Sequence, residues 1–143
     1  MKVPDANLLI YAVDEGSPQH GPAKDWLDGA LSGGETVAFT WAVLVAFLRL
    51  TTNPRVFEQP LSPEEALDVI EAWLGRPTVT VIGPGERHVR LVRELLASSG
   101  TAGNLTSDAH LAAIAIEHGA TLCSADRDFA RWSGLRCTNP LEH

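Results

Sequence analysis

Short apolar runs alternate along this chain with longer segments whose apolar residues fall at helical spacing. The short runs are Lys2-Val3-Pro4, Thr36-Val37-Ala38-Phe39, Val79-Thr80-Val81-Ile82, Thr121-Leu122-Cys123 and Leu135-Arg136-Cys137. Each is brief and largely apolar, and all but Leu135-Arg136-Cys137 carry a β-branched residue, which predicts strands. Pro4 fits a strand only where its missing N–H is not needed.

The longer segments predict helices. Asp5-Ala6-Asn7 opens an apolar run through Leu8, Leu9, Ile10, Tyr11 and Ala12. Pro18 to Leu31 carries Ala23, Trp26, Leu27, Ala30 and Leu31 on one face, and Gly33-Gly34 breaks it. Trp41 to Leu50, capped by Thr40, is apolar nearly all round, which predicts a helix enclosed between layers. Ser62-Pro63-Glu64-Glu65 combines a capping serine, a proline at the first helical position and a glutamate three residues after the cap. That helix runs to Leu74. Glu86 to Ser99 turns Val89, Val92, Leu95 and Leu96 inward. The last helix runs through Ala109, Leu111, Ala112, Ala115 and Ile116 to Gly119, a glycine suited to a left-handed C-cap.

Strands alternating with helices predict an α/β fold: a three-layer α/β/α domain around a central parallel sheet of four to five strands. Residues 1–140 form one domain, and 141–143 read as a tag remnant or tail. No apolar run approaches the roughly 20 residues of a membrane span. The N-terminus lacks the character of a secretory signal, so Cys123 and Cys137 are expected as reduced thiols in a cytoplasmic protein.

Charge changes the picture in one respect. The net charge is −7, which argues against nucleic-acid binding by overall charge. A local basic path stays open. Arg87, Arg90 and Arg93 follow at i+3 steps, either as a basic stripe or as a solvated face paired with Glu86 and Glu94.

Four carboxylates stand at predicted element ends. Asp5 ends the first strand, Asp108 begins the last helix, and Asp126 and Asp128 follow the strand at Thr121-Leu122-Cys123. Each alone is explained as a helix cap. Several at one edge of a small parallel sheet point to a site, because such sites form at strand carboxyl ends. Clustered carboxylates repel unless a cation neutralises them, and hard oxygen ligands suit Mg²⁺, with Mn²⁺ as a substitute. Such ions activate water and offset charge in phosphoryl chemistry. Zinc is not indicated: the cysteines lack paired spacing, and His110 and His118 read as surface or partly buried residues. A phosphoaspartate or receiver-type enzyme also gathers acids at strand ends, but it uses a late lysine and this chain has none after Lys24. No Walker-type or GxGxxG sequence is present.

Asp5-Ala6-Asn7-Leu8-Leu9-Ile10-Tyr11-Ala12, Ser107-Asp108-Ala109-His110-Leu111-Ala112-Ala113 and Ser124-Ala125-Asp126-Arg127-Asp128-Phe129 together resemble PIN-domain proteins. Phe47 to Phe57, with its Thr52-Asn53-Pro54-Arg55, and the closing Asn139-Pro140-Leu141 resemble one bacterial subgroup, the VapC toxins of type II toxin–antitoxin systems. The resemblance covers almost the whole chain. It implies a metal-dependent endoribonuclease that leaves 5′-phosphate and 3′-hydroxyl ends and is inhibited by a VapB-type antitoxin. Carried over by position, Asp5, Asp108 and Asp126 match the catalytic, metal-binding acids, and Asp128 matches a more variable fourth. Asn7 and Ser124 match supporting residues. Ala46 stands where many family members have a glutamate. Either this subgroup manages with fewer acids or the position carries an inactivating substitution. The alternative reading is therefore a catalytically weak or inactive module that binds antitoxin or RNA.

Two further expectations concern partners. Arg49 and Arg127 are the candidates for contact with the RNA backbone, or else ion-pair partners of the acids. Trp26, Trp41, Leu44, Val45, Leu48 and Trp73 exceed what a small core hides, which points to a homodimer and an antitoxin groove.

Overall fold

A computed structural model of the chain describes residues 1–100 and 102–142; His143, in the predicted tail, lies outside the described residues. Five parallel strands form one sheet: β1 (Lys2–Pro4), β2 (Val37–Phe39), β3 (Val79–Val81), β4 (Thr121–Cys123) and β5 (Cys137–Thr138). Their order is β3-β2-β1-β4-β5. The helices are α1 (Ala6–Val13), α2 (His20–Ser32), α3 (Trp41–Thr51), α4 (Pro63–Leu74), α5 (His88–Ser99) and α6 (Thr106–Glu117). Gly103–Leu105 and Arg127–Arg131 are short 3₁₀ helices. The expected α/β/α domain with a parallel sheet is what forms. No helix among the described residues is long and apolar enough to cross a membrane.

Chain direction explains the layers. From β1 the chain steps outward to β2 and β3, then returns across the sheet to β4 and β5. Right-handed crossovers place the outward and returning helices on opposite faces. Accordingly α1 packs on α2 and α3, α3 packs on α4, and α5 packs on α6.

Pro4 shapes the centre of the sheet. The Lys2 N–H bonds Thr36 on the β2 side, and side alternates along a strand, so Pro4 would donate toward β2. It has no N–H. The β1–β2 register holds only the Lys2–Val37 pair, whereas β1 pairs with β4 at Lys2–Thr121, Val3–Leu122 and Pro4–Cys123. The missing donor thus falls where no partner is needed.

The core is built from Val3, Leu9, Phe39, Leu44, Phe47, Leu122 and Phe129, all at most 1% exposed. Trp73 of α4 stacks on Phe39 at 5.8 Å between ring centroids and meets Phe47 edge-on at 4.9 Å. The predicted caps are present. Thr40 accepts from the Val43 N–H, and Ser62 and Glu65 form a reciprocal capping box. Gly119, at φ +62°, ends α6 in the left-handed region that favours glycine. Glu117 holds the β3–α5 loop against α6 by accepting from the N–H groups of Gly85 at 2.7 Å and Arg87 at 3.0 Å.

Two expectations are corrected. Helix α3 is not enclosed: Val43, Leu44 and Phe47 are buried, but Trp41 and Val45 are 57% and 56% exposed. Trp41, Val45 and Arg49 are four residues apart and make one open stripe. Of the apolar surplus, Leu44 and Trp73 belong to the core, and Trp26 and Leu48 are half-buried against it. In α5, Leu91 and Leu95 face inward while Val89 is 68% exposed. The helix begins at His88 rather than Glu86, and its buried face is set by packing on α6.

Candidate active site

The strand order reverses between β1 and β4, and a parallel sheet opens a crevice at the carboxyl ends of such neighbours. Asp5 follows β1. Ser124, Asp126 and Asp128 follow β4. Helix α6 enters β4 from the opposite end of the sheet, so its first turn, with Asp108, lies at the same edge.

Register fixes the first contacts. Pro4 pairs with Cys123, so Asp5 and Ser124 leave their strands side by side, and the Asp5 N–H donates to the Cys123 carbonyl at 2.8 Å. One carboxylate oxygen of Asp5 accepts from the Ala6 N–H at 2.8 Å, and the other accepts from the Ser124 hydroxyl at 2.7 Å. Ser124 Oγ also accepts from Asn7 Nδ2 at 3.2 Å and from the Asp126 N–H at 3.0 Å. The Ala125 N–H reaches Asn7 Oδ1 at 3.4 Å. Asp126 accepts from the Asp128 N–H at 2.8 Å and caps the 3₁₀ helix. Asn7 and Ser124 therefore tie the β1 end to the β4 end.

Carboxylate oxygens of Asp108, Asp126 and Asp128 lie within 4.8 Å of one another. Asp5 stands alongside, outside that triplet, with its oxygens engaged by Ser124 and α1. Burial and the neighbouring charges of Asp126, Asp5 and Asp128 push the Asp108 carboxyl up to about 6, against a smaller opposing effect of Arg131. Burial also raises Asp5, opposed by its hydrogen bonds to Ser124 and Ala6. Acids that are costly to ionise together and supply only oxygen donors fit a hard divalent cation. Among the described residues this is the only group of three or more such ligands. Ala46, half-buried on α3, adds none.

The arginines do not fall where their sequence neighbours suggest. Arg49 lies exposed on the open stripe of α3. The Arg127 side chain is 90% exposed and pairs with Glu142 at 3.4 Å. Arg131 was not singled out by sequence, yet its guanidinium lies 3.6 Å from Asp128. Its signal was the i,i+3 spacing from Asp128. His110 is half-buried and meets His88 at 2.9 Å, and His118 bonds the Gly83 carbonyl at 3.0 Å.

A cavity of about 520 Å³ lies between the α1–α2 and α3–α4 loops, lined by residues such as Val13, Asp14, Phe57 and Leu61, and shares no residue with the acids.

The chain belongs to a known class: residues 2–135 match the PIN domain, and the chain is a member of that family. It is 45% identical over 140 residues to Ribonuclease VapC37 of Mycobacterium tuberculosis, covering 98% of this chain and 97% of the relative. It is 41% identical over 141 residues to Ribonuclease VapC33 of the same organism, covering 99% of each. Solved structures share the fold at low identity. VapBC2 from Rickettsia felis, bound to a DNA fragment from its promoter, superposes with a TM-score of 0.70 at 20% identity, covering 96% of this chain and 97% of the other. VapC20 of M. tuberculosis, a Sarcin-Ricin loop cleaving toxin, gives 0.68 at 19% identity, covering 95% and 99%.

Proposed function

We propose that the chain is a Mg²⁺- or Mn²⁺-dependent endoribonuclease toxin that hydrolyses RNA phosphodiesters and is held inactive by a VapB-type antitoxin. The observation that carries this reading is the convergence of Asp108, Asp126 and Asp128 within 4.8 Å, beside Asp5, at the strand-order reversal. The similarity to proteins named ribonucleases over nearly full length supports the same activity.

A divalent ion held by Asp108, Asp126 and Asp128, with Asp5 adjacent, would polarise a phosphoryl oxygen and lower the pKa of a bound water. The chain's own part is positioning. Ser124 and Asn7 fix the relation of Asp5 to Asp126, and the Asp126 cap fixes Asp128. With Asp126 and Asp128 exposed, the edge is accessible to a polymer. The products are RNA ends with 5′-phosphate and 3′-hydroxyl.

The same reading supplies partners and place. Trp41 and Val45, exposed on α3, offer an apolar surface for the antitoxin or for a homodimer. The compartment is the cytoplasm, consistent with two free cysteines. Ala46 favours a second reading, a binding module with weak catalysis, and Ala46→Glu separates the two: activity confined to that variant selects the module.

The test is sequencing of RNA ends after incubating an RNA pool with purified protein. New 5′-phosphate ends should appear with Mg²⁺, vanish with a chelator and be suppressed by the antitoxin encoded beside the gene. Absence of new ends in both Mg²⁺ and Mn²⁺ overturns the enzyme reading.

A further inference from the structure

We propose that Arg131 is the side chain that meets an RNA phosphate at the acid cluster; this rests on the ribonuclease reading above. Among the described residues, the Arg131–Asp128 ion pair is the only one that reaches any of Asp5, Asp108, Asp126 and Asp128. The side chain is held from two sides. Its Nε donates to the Asp128 carbonyl at 3.0 Å, and its guanidinium lies 6.0 Å from the centre of the Trp132 ring. That ring is itself fixed: Trp132 is 4% exposed, and its indole N–H is shared between the Leu95 carbonyl and Ser99 Oγ, both at 3.1 Å.

The grip leaves the outer end of the fork uncommitted. Arg131 NH2 stands 3.6 Å from Asp128 Oδ1, an ion pair without a hydrogen bond, and the side chain stays 38% exposed. A planar fork, anchored at Nε and open at its tip, suits bidentate contact with phosphate. Position matters equally. A polyanion approaching three carboxylates needs cationic charge at the cluster, and Arg127 points to Glu142 instead.

The experiment is binding of a fluorescein-labelled single-stranded RNA in Ca²⁺, measured by anisotropy across a KCl series, with a parallel cleavage assay in Mg²⁺. Arg131→Ala should weaken binding about tenfold. It should also reduce the slope of log affinity against log salt by about one. Arg131→Lys should keep the slope while losing part of the affinity, because charge remains and the fork is lost. Arg127→Ala should change neither. An unaltered slope in Arg131→Ala, with or without a lower melting temperature, overturns the proposal and leaves Arg131 as a structural counter-ion. Wild-type protein that neither binds nor cuts RNA overturns the ribonuclease reading and this assignment together. Wild-type cleavage with an unaffected Arg131→Ala overturns only the assignment.

Discussion

The Ser124 hydroxyl donates a 2.7 Å hydrogen bond to Asp5, joining the ends of two adjacent parallel strands from positions 119 residues apart. The same oxygen accepts from Asn7 and from the Asp126 N–H. One small side chain thus positions groups from β1 and from the loop after β4. Ser124→Ala removes this junction. It should cost about 1–3 kcal/mol of stability, because partly buried polar groups lose their partner. Asp5 would lose the bond that opposes its burial, so its carboxyl rises further and the site needs more Mg²⁺. Urea unfolding and a Mg²⁺ titration of cleavage check this. An unchanged Mg²⁺ requirement would contradict it.

Asp108 should set stability against function. Its carboxyl is raised from 3.8 to about 6 in the fold, so the folded state holds that proton more tightly than the unfolded chain. The sign follows from linkage: wild type loses stability as pH rises through this interval. Asp108→Asn cannot ionise and escapes the loss. In chelator the variant should melt higher than wild type above pH about 6, with the difference fading toward pH about 4. Mg²⁺ should narrow the gap, since it binds the folded wild type. Thermal melts across pH, with and without Mg²⁺, decide this. A variant that melts lower in chelator at neutral pH would show that burial of the Asp108 charge, together with repulsion from the neighbouring acids, is not the dominant effect.

A control lies far from the acids. Ser62 and Glu65 exchange hydrogen bonds at the start of α4, at 3.1 and 3.0 Å. Ser62→Ala should cost about 1 kcal/mol of stability. Cleavage below the melting transition should be unchanged, because α4 contributes none of the acids. Loss of cleavage with the fold intact would mean that α4 reaches the site in a way this structure does not show.

Much of this was legible in the sequence, for reasons that differ by residue. The alternation of short apolar runs with helical patterns predicts the parallel sheet, and the parallel sheet predicts the edge on which Asp5, Asp108, Asp126 and Asp128 stand; the oxygens that lie within 4.8 Å are those of Asp108, Asp126 and Asp128, with Asp5 outside that triplet. Strand boundaries differed slightly: the last strand is Cys137–Thr138, paired with Leu122 and Cys123, rather than Leu135 to Cys137. Arg127 has an acid on either side of it in sequence, yet the segment Arg127–Arg131 is a 3₁₀ helix. Three residues per turn set Arg131 over Asp128 and leave Arg127 outside. The open stripe on α3 was hidden because Trp41 and Val45 are as apolar as the buried face, so periodicity could not tell one from the other. The His88–His110 contact joins residues 22 apart in sequence, on two different helices, and has no local signal.

The most direct measurement is a Mn²⁺ binding isotherm on wild type and Asp126→Asn, paired with RNA cleavage by the same preparations. Asparagine keeps an oxygen for the Asp128 N–H, so the cap and the fold should persist. It removes one charge from the triplet that lies within 4.8 Å. Loss of a direct ligand should exceed the roughly tenfold to hundredfold cost of losing an outer hydrogen-bond partner. Weak Mn²⁺ binding and no cleavage from a folded Asp126→Asn protein is the predicted result. Wild-type affinity together with full metal-dependent cleavage in that variant would contradict the assignment of the site.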